Sequence, residues 1–274
     1  MQKKTVRRFF KWLQIVAAIY VVCGVALYFL QEKFIFHPQK LPAGHTFNFA
    51  QPFQEVYLPV NDDKNISIVR FTVPDSLCKG VVLYFHGNRN NIERYAAYAS
   101  SFTRNNYEVW MMDYPGFGKS TGDRSEEILY SDALLFYKMA RAKFGTDSII
   151  LYGKSLGSGI AAQLASIRDC KKLILETPYS SMDDLASHWA FMYPVTWMLH
   201  YHLPTDEYLP QIKVPITILH GTKDEIIPFS HAKHLATIAR PGTELIPIEG
   251  GKHNNLSEFA VFQRKMDSLL FDGR

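Results

Sequence analysis

Gly153-Lys154-Ser155-Leu156-Gly157 sets a serine between two glycines, directly after the apolar run SIILYG (148–153) and directly before the small-residue run SGIAAQLA. Strand, sharp turn and helix in that order is the setting of a nucleophile elbow. A serine in such a turn sits on strained backbone, so its flanks must be glycines to avoid clashes. The helix that begins at the turn aims N–H groups and the positive end of its dipole at the oxyanion formed when the hydroxyl attacks a carbonyl. A serine hydroxyl is a poor nucleophile at neutral pH and needs a base, itself held by a carboxylate. His220-Gly221-Thr222-Lys223-Asp224 puts an acid just past the apolar run ITILHG (216–221), and Gly250-Gly251-Lys252-His253-Asn254 puts a histidine in the loop after LIPIEG (245–250). The expected catalytic set is therefore Ser155 as nucleophile, His253 as base and Asp224 orienting the base, in the chain order that accompanies this elbow. The other reading of Asp224 is a turn or N-cap aspartate, and Glu176, ending the run KLILE (172–176), is the rival acid.

The developing oxyanion needs two donors. One is the backbone N–H of Leu156, which follows the serine; the other is expected from the loop after VVLYF, where His86-Gly87-Asn88 stands, and is assigned to the backbone N–H of Asn88. His86 is expected to brace that loop by hydrogen bonding. Losing one such donor costs on the order of 2.7–4 kcal/mol of transition-state stabilisation.

These residues have to be carried by a repeating frame. EVYLPV (55–60) and ISIVRFTV (66–73) read as an opening hairpin around NDDKN, and VVLYFHG (81–87) as a buried parallel strand. A helix over 91–104 precedes the strand YEVWMMD (107–113). In 125–144, Ile128, Leu129, Ala133, Leu135, Phe136 and Met139 recur at helical spacing, with Ser125 and Glu126 suited to the helix start. After 148–153, 172–176, 216–221 and 245–250, a helix over 257–271 closes the chain. This alternation predicts an α/β protein with a largely parallel sheet and helices on both faces. Pro178 to Pro215 breaks the rhythm. With Trp189, Phe191, Met192, Tyr193, Trp197, Met198, Leu199 and Tyr201 it reads as a small helical lid, about 178–214, whose aromatic residues either pack as core or face the site and favour acyl chains.

Of 274 residues, 47% are hydrophobic and 20% charged, ordinary values for a chain with ample core material. The net charge of +4 is uneven: Lys3, Lys4, Arg7, Arg8 and Lys11 fall in the first eleven positions, and the remainder carries 25 basic against 26 acidic residues. The body thus has no positive bias towards nucleic acid. From Trp12 to Leu30 no residue is charged, and as a helix this stretch spans about 28 Å, close to a bilayer's hydrocarbon thickness. The organisation expected is a basic cytoplasmic tail (1–11), a transmembrane anchor (12–30) and a catalytic domain (31–274) on the non-cytoplasmic side, because the basic flank lies N-terminal. The alternatives are a cleaved signal peptide, opposed by the length of the run and the bulky residues at its end, and a buried core helix. Pro38 and Pro42 argue against helix continuing far past Leu30. Cys23, Cys78 and Cys170 read as free thiols.

HGNRNNIERY, DYPGFGKSTG, GKSLGSGIAA, HGTKDEIIP and GGKHNNL together resemble the small membrane-anchored α/β-hydrolase-domain proteins, akin to serine aminopeptidase-like hydrolases and to protein depalmitoylases. The resemblance runs from about Phe34 to the C-terminus. It implies an α/β-hydrolase fold with an eight-stranded, mostly parallel sheet, catalysis by Ser155, Asp224 and His253, Asn88 and Leu156 at the oxyanion hole, and a structural role for Asp113. Glu176-Thr177-Pro178 departs from it, since a neutral small residue is commoner than an acid there.

Other chemistries fare less well. Gly118-Lys119-Ser120-Thr121 ends like a phosphate loop, but the earlier glycine would fall at Asp113; Gly153-Lys154-Ser155 fails likewise at Ser148. His200-x-His202 and His231-x-x-His234 lack the spacing of HExxH. No cofactor or metal is expected. The function expected is hydrolysis of a carboxylic ester or thioester of a small-molecule apolar acyl substrate, through an acyl-serine intermediate, beside a membrane. A peptidase using Glu176, Asp183 or Asp184 to pair a substrate ammonium stays open, as does a catalytically silent tethered binding protein. Oligomeric state is left open.

Overall fold

The computed structural model describes residues 2–271, with side chains from Thr5 onward, so Lys3 and Lys4 of the basic cluster and positions 272–274 lie outside the described side chains. Eight strands form one sheet: β1 (Phe53–Asn61), β2 (Lys64–Phe71), β3 (Gly80–Phe85), β4 (Tyr107–Met112), β5 (Ile149–Lys154), β6 (Lys172–Glu176), β7 (Ile216–Gly221) and β8 (Glu244–Ile248). Their spatial order is β1-β2-β4-β3-β5-β6-β7-β8. β2 runs antiparallel to both its neighbours, and the other pairings are parallel.

The central strands are apolar on both sides because both faces are covered. Val81, Leu83 and Phe85 of β3 point into one core with Ile149, Leu151, Leu173 and Leu175; Val82 and Tyr84 point into the other with Ile150, Tyr152 and Ile174. The helices are α1 (Gln2–Ile35), α2 (Glu126–Arg141), α3 (Leu156–Ile167), α4 (Met182–Trp189), α5 (Phe229–Ile238) and α6 (Ala260–Leu270). Phe136 of α2, Ile160 of α3 and Leu235 of α5 fill the first core, and Phe262 and Met266 of α6 fill the second beside Phe102. Ser125 caps α2, its hydroxyl accepting from the Ile128 N–H at 3.2 Å. The helix expected over 91–104 is broken into Ile92–Tyr95, a 3-10 turn Ala96–Ala99 and Ser100–Thr103.

α1 carries the apolar stretch and continues five residues beyond Leu30, to Ile35, stopping where His37 precedes Pro38 and helical backbone is disfavoured. By length and composition it is the one helix among the described residues able to cross a membrane, and none of its apolar window is buried in the body. Its last turn does touch the body. Buried Gln31 donates to the Met198 carbonyl at 3.0 Å and accepts from the His200 N–H at 2.7 Å, and Tyr201 donates to Glu32 at 2.6 Å.

The segment Pro178 to Pro215 holds α4, capped by Ser181, two short helical turns, Val195–Met198 and Thr205–Tyr208, and a 3-10 turn, Leu209–Gln211. Its aromatic residues divide: Tyr201 is core, while Trp189, Phe191 and Trp197 are exposed.

Candidate active site

β5 delivers Ser155 at its C-terminal end and α3 leaves from the next residue. Ser155 takes φ 51°, ψ −119°, the strained turn that the elbow requires. The glycines are needed for space. A Cβ at Gly157 would lie 2.1 Å from the Phe85 carbonyl oxygen, and one at Gly153 would lie 2.5 Å from that of Gly157. α3 therefore packs its first turn hard against the ends of β3 and β5.

β7 ends at Gly221 and carries Asp224 into its following loop, and the loop after β8 carries His253. The structure brings the three side chains into one line. His253 Nε2 is 3.0 Å from Ser155 Oγ, and His253 Nδ1 is 2.7 Å from Asp224 Oδ2. With the proton on Nδ1 donated to Asp224, Nε2 faces the serine hydroxyl as acceptor. The second Asp224 oxygen accepts the N–H groups of Ile226 and Ile227, each at 2.9 Å. Burial pushes the Asp224 carboxyl up, but the hydrogen bond and charge of His253, with those two N–H groups, outweigh it and hold the carboxyl below its ordinary range. It is ionised wherever His253 needs an anion beside it.

The two residues expected to supply the oxyanion donors, Asn88 and Leu156, line the same cavity as Ser155 and His253. Leu156 is the first residue of α3, where helix N–H groups have no intrahelical acceptor. Asn88 follows β3 in a clamped loop: its side chain donates to the Ile35 carbonyl at 2.6 Å, and its carbonyl accepts the His37 N–H at 2.9 Å. Below it, His86 and Asp113 are both fully buried, 3.3 Å apart, and Asp113 accepts the Ile92 N–H at 3.0 Å. Burial pushes the Asp113 carboxyl up, opposed by His86. Both brace the loop from behind.

Glu176 takes no part in the serine–histidine line. It is buried at the end of β6, where Lys154 and Tyr152 both donate to its carboxylate, and its own carbonyl accepts the Ser155 N–H at 2.9 Å.

Ser155 and His253 stand at the floor of a cavity of about 310 Å³. One wall is apolar, from Met182, Leu185, Ala186 and Trp189 of α4 with Ile226 and Ile227; another comes from Phe34 and Ile35 of α1; Arg89 and Arg94 stand at its rim. No acid is among the described residues that line it. Sequence reasoning missed the arginines and the α1 wall. The arginines had a signal, lying one and six residues past Asn88 in the loop assigned to the oxyanion hole. Phe34 and Ile35 had none, because they reach the cavity only through the docking of α1.

Residues 77–207 match the model of a family described as serine aminopeptidase, S33. Alpha/beta hydrolase domain-containing protein aho-3 of Caenorhabditis elegans is 30% identical over 195 residues, 69% of this chain and 57% of that protein. Alpha/beta hydrolase domain-containing protein 17C of Xenopus tropicalis is 30% identical over 194 residues, 69% of this chain and 61% of that protein. The chain thus spans about three-fifths of the length of these relatives. Among solved structures, the Pyrococcus furiosus esterase Pf2001 superposes with a TM-score of 0.66 at 16% identity, covering 85% of this chain and 98% of that one. Est1E of Butyrivibrio proteoclasticus, bound to ferulic acid, superposes at 0.65 and 16% identity, covering 78% and 97%. At such identities the superpositions speak for the fold alone.

Proposed function

From the α/β-hydrolase fold shared with these structures, we propose that the chain is a membrane-anchored serine hydrolase cleaving carboxylic ester or thioester bonds of apolar acyl substrates. The observation that carries this reading is the hydrogen-bonded line from Ser155 through His253 to Asp224 on the floor of an open cavity. Ser155 Oγ attacks the acyl carbonyl while His253 Nε2 takes its proton, and Asp224 stabilises the imidazolium. The carbonyl oxygen, now negative, is held by the N–H groups of Asn88 and Leu156. His253 returns the proton to the departing alcohol or thiol, leaving acyl-Ser155. Water, activated by the same imidazole, releases the acid and restores the enzyme.

The cavity wall supports an acyl substrate. Met182, Leu185, Trp189 and Ile226 offer an apolar bed, and Arg89 and Arg94 offer positive charge at the rim. The family description favours a second reading, a peptidase acting on short peptides. An aminopeptidase has to receive a substrate ammonium, and the acids available for it are engaged elsewhere. Glu176 is bonded to Lys154 and Tyr152, Asp183 pairs with His202 at 2.9 Å, and Asp184 is outside the cavity lining. In this reading α1 anchors the chain with its basic N-terminus cytoplasmic and the catalytic body on the other side.

A fluorophosphonate probe on the full-length chain tests the class: Ser155 is labelled in the wild type and labelling is lost in Ser155→Ala. A folded wild-type chain that resists the probe would favour the silent tethered binder. Turnover of acyl esters, acyl thioesters and aminoacyl amides then ranks the enzymes, and faster amide turnover reverses the preference for acyl substrates.

A further inference from the structure

The ends of the segment between Pro178 and Pro215 pack on the body, but its tip runs along α1. Tyr193 stacks on Tyr20 with ring centroids 4.6 Å apart and planes within 7°, Tyr20 donates to the Met192 carbonyl at 2.7 Å, and Tyr193 donates to the Tyr20 carbonyl at 3.1 Å. Gly24 leaves room for this packing, since a Cβ there would lie 3.0 Å from the Tyr193 ring. Tyr20 is ten residues before Leu30, so the contact lies ~15 Å up the helix, half-way along a stretch that matches the ~30 Å of bilayer hydrocarbon. The side chains at this tip are apolar and uncovered by protein: Trp197 is 88% exposed, Phe191 80%, Trp189 66% and Met192 63%. A patch of this kind marks an interaction surface, and its continuity with an apolar helix that is itself unburied points to the bilayer as what covers it. Between α1 and the segment lies a second cavity, of about 130 Å³, walled by Leu27, Ala190, Tyr193, Val195, Met198 and Leu199. Phe34, Ile35 and Ala186 line both this cavity and the one that holds Ser155.

We propose that this segment is inserted one leaflet deep in the bilayer beside α1, and that the gap between them admits the fatty acyl chain of a membrane lipid to Ser155. The inference rests on the acyl-hydrolase and anchor readings above and adds where the substrate comes from. The lipid chain enters between α1 and the α4 side of the segment, lies in the second cavity, and presents its ester at the shared wall of Phe34 and Ala186. The ester bond between the acyl group and the lipid's glycerol oxygen is exchanged for one to Ser155 Oγ, the deacylated lipid alcohol leaving with the proton from His253 and water later releasing the fatty acid. No desorption into water is needed, which removes the large cost of exposing a long chain.

Two measurements on the full-length chain in phosphatidylcholine vesicles test this. With Trp12→Phe and Trp189→Phe, the remaining tryptophans are Trp197 and Trp110, the latter buried in the body. Bromine atoms on the lipid acyl chains are expected to quench Trp197 emission, and adding Trp197→Phe removes the quenching. Equal emission in brominated and plain vesicles overturns the insertion. In the second, turnover of a long-chain ester lipid within the vesicle is compared with that of a short water-soluble ester. Ala190→Trp, or the milder plug Ala190→Leu, is expected to lower the long-to-short ratio about tenfold or more. An unchanged ratio in both variants overturns the passage. A wild-type chain that hydrolyses the soluble ester and never the bilayer lipid sinks this inference with the hydrolase reading intact. Failure on every ester, with no fluorophosphonate labelling, sinks the hydrolase reading itself, and Trp197 quenching would then support the inserted segment alone.

Discussion

Lys154, the residue immediately before the candidate nucleophile, bonds through its ammonium to the buried carboxylate of Glu176 on the neighbouring strand. The β5–β6 register sets the two residues side by side, and both are sealed from solvent. Burial pushes the Lys154 ammonium down, but the Glu176 carboxylate reverses this and holds it above its ordinary value. Breaking a buried pair by removing one charge costs about 3–5 kcal/mol, because the other is left uncompensated. Glu176→Gln is therefore expected to lower the melting temperature sharply while turnover per fluorophosphonate-titrated site is retained. A collapse of the acylation rate per titrated site would instead make Glu176 the acid of the mechanism.

Asp224 has the opposite profile. Asp224→Asn keeps the side-chain shape but can present an N–H to His253, favouring the wrong tautomer, and in serine hydrolases such a change lowers kcat on the order of 10⁴-fold. The expected result is near-total loss of turnover with Ser155 still in place, read by steady-state kinetics beside circular dichroism. His253→Ala is expected to lose at least as much. Substantial residual activity in either variant contradicts the assignment.

Asn88 tests the oxyanion loop without removing its donor. The backbone N–H survives in Asn88→Ala, but the side-chain bond to the Ile35 carbonyl, which ties the loop to the end of α1, is lost. A neutral hydrogen bond contributes about 0.5–1.5 kcal/mol, so kcat is expected to fall roughly threefold to tenfold with KM nearly constant. A change confined to KM would show that the loop positions substrate and not the transition state.

What the sequence conveyed and what it hid divide along the range of the interactions. Gly153, Ser155 and Gly157 are local: two residues either side of a turn declare a steric requirement that no other part of the chain can alter. Asp224 and His253 were legible because each follows an apolar run that ends at the same edge of a parallel sheet. The Lys154–Glu176 pair was hidden, since it depends on strand register, and Glu176 by itself looked like a rival acid. The C-terminal end of α1 was hidden for a similar reason. Its last turn is held by Gln31 against Met198 and His200, partners 167 and 169 residues away. The helix over 91–104 failed on a different ground, because a 3-10 turn interrupts it at Ala96–Ala99 without any proline or glycine to announce the break.

His220 sets a pH dependence of stability. It is fully buried, donates through Nε2 to the Ile227 carbonyl at 2.9 Å, and burial pushes its imidazole below the ordinary value despite that bond and the nearby Asp224. Its folded pKa lies below its unfolded value of ~6.5, so below that pH the unfolded chain takes up a proton that the folded one refuses. Its stabilisation is fully present above ~6.5 and is lost as pH falls towards the folded value. The melting temperature is expected to drop between about pH 7 and pH 5, and His220→Gln, which can still donate to Ile227, is expected to flatten that slope. His231, also pushed down by burial, keeps part of it. An equal slope in the variant would remove His220 as the cause.

Ser155 gives the sharpest test of the strained turn. At φ 51°, ψ −119° its side chain sits on backbone that glycine adopts far more readily than any L residue. Ser155→Ala and Ser155→Gly both remove the candidate nucleophile, yet they treat the backbone differently. Alanine keeps a Cβ and therefore the strain, which costs about 1–3 kcal/mol. Glycine relieves it and gives back about 0.4–1 kcal/mol through the greater freedom of the unfolded chain. The glycine variant is therefore expected to be the more stable of two equally inactive proteins, by about 0.5–2 kcal/mol, read as a difference in urea midpoint at constant slope. The order matters more than the size. If Ser155→Ala proves the more stable, the turn is not strained in solution, and the reason for glycines at 153 and 157 shrinks to the close packing of α3 against β3 and β5.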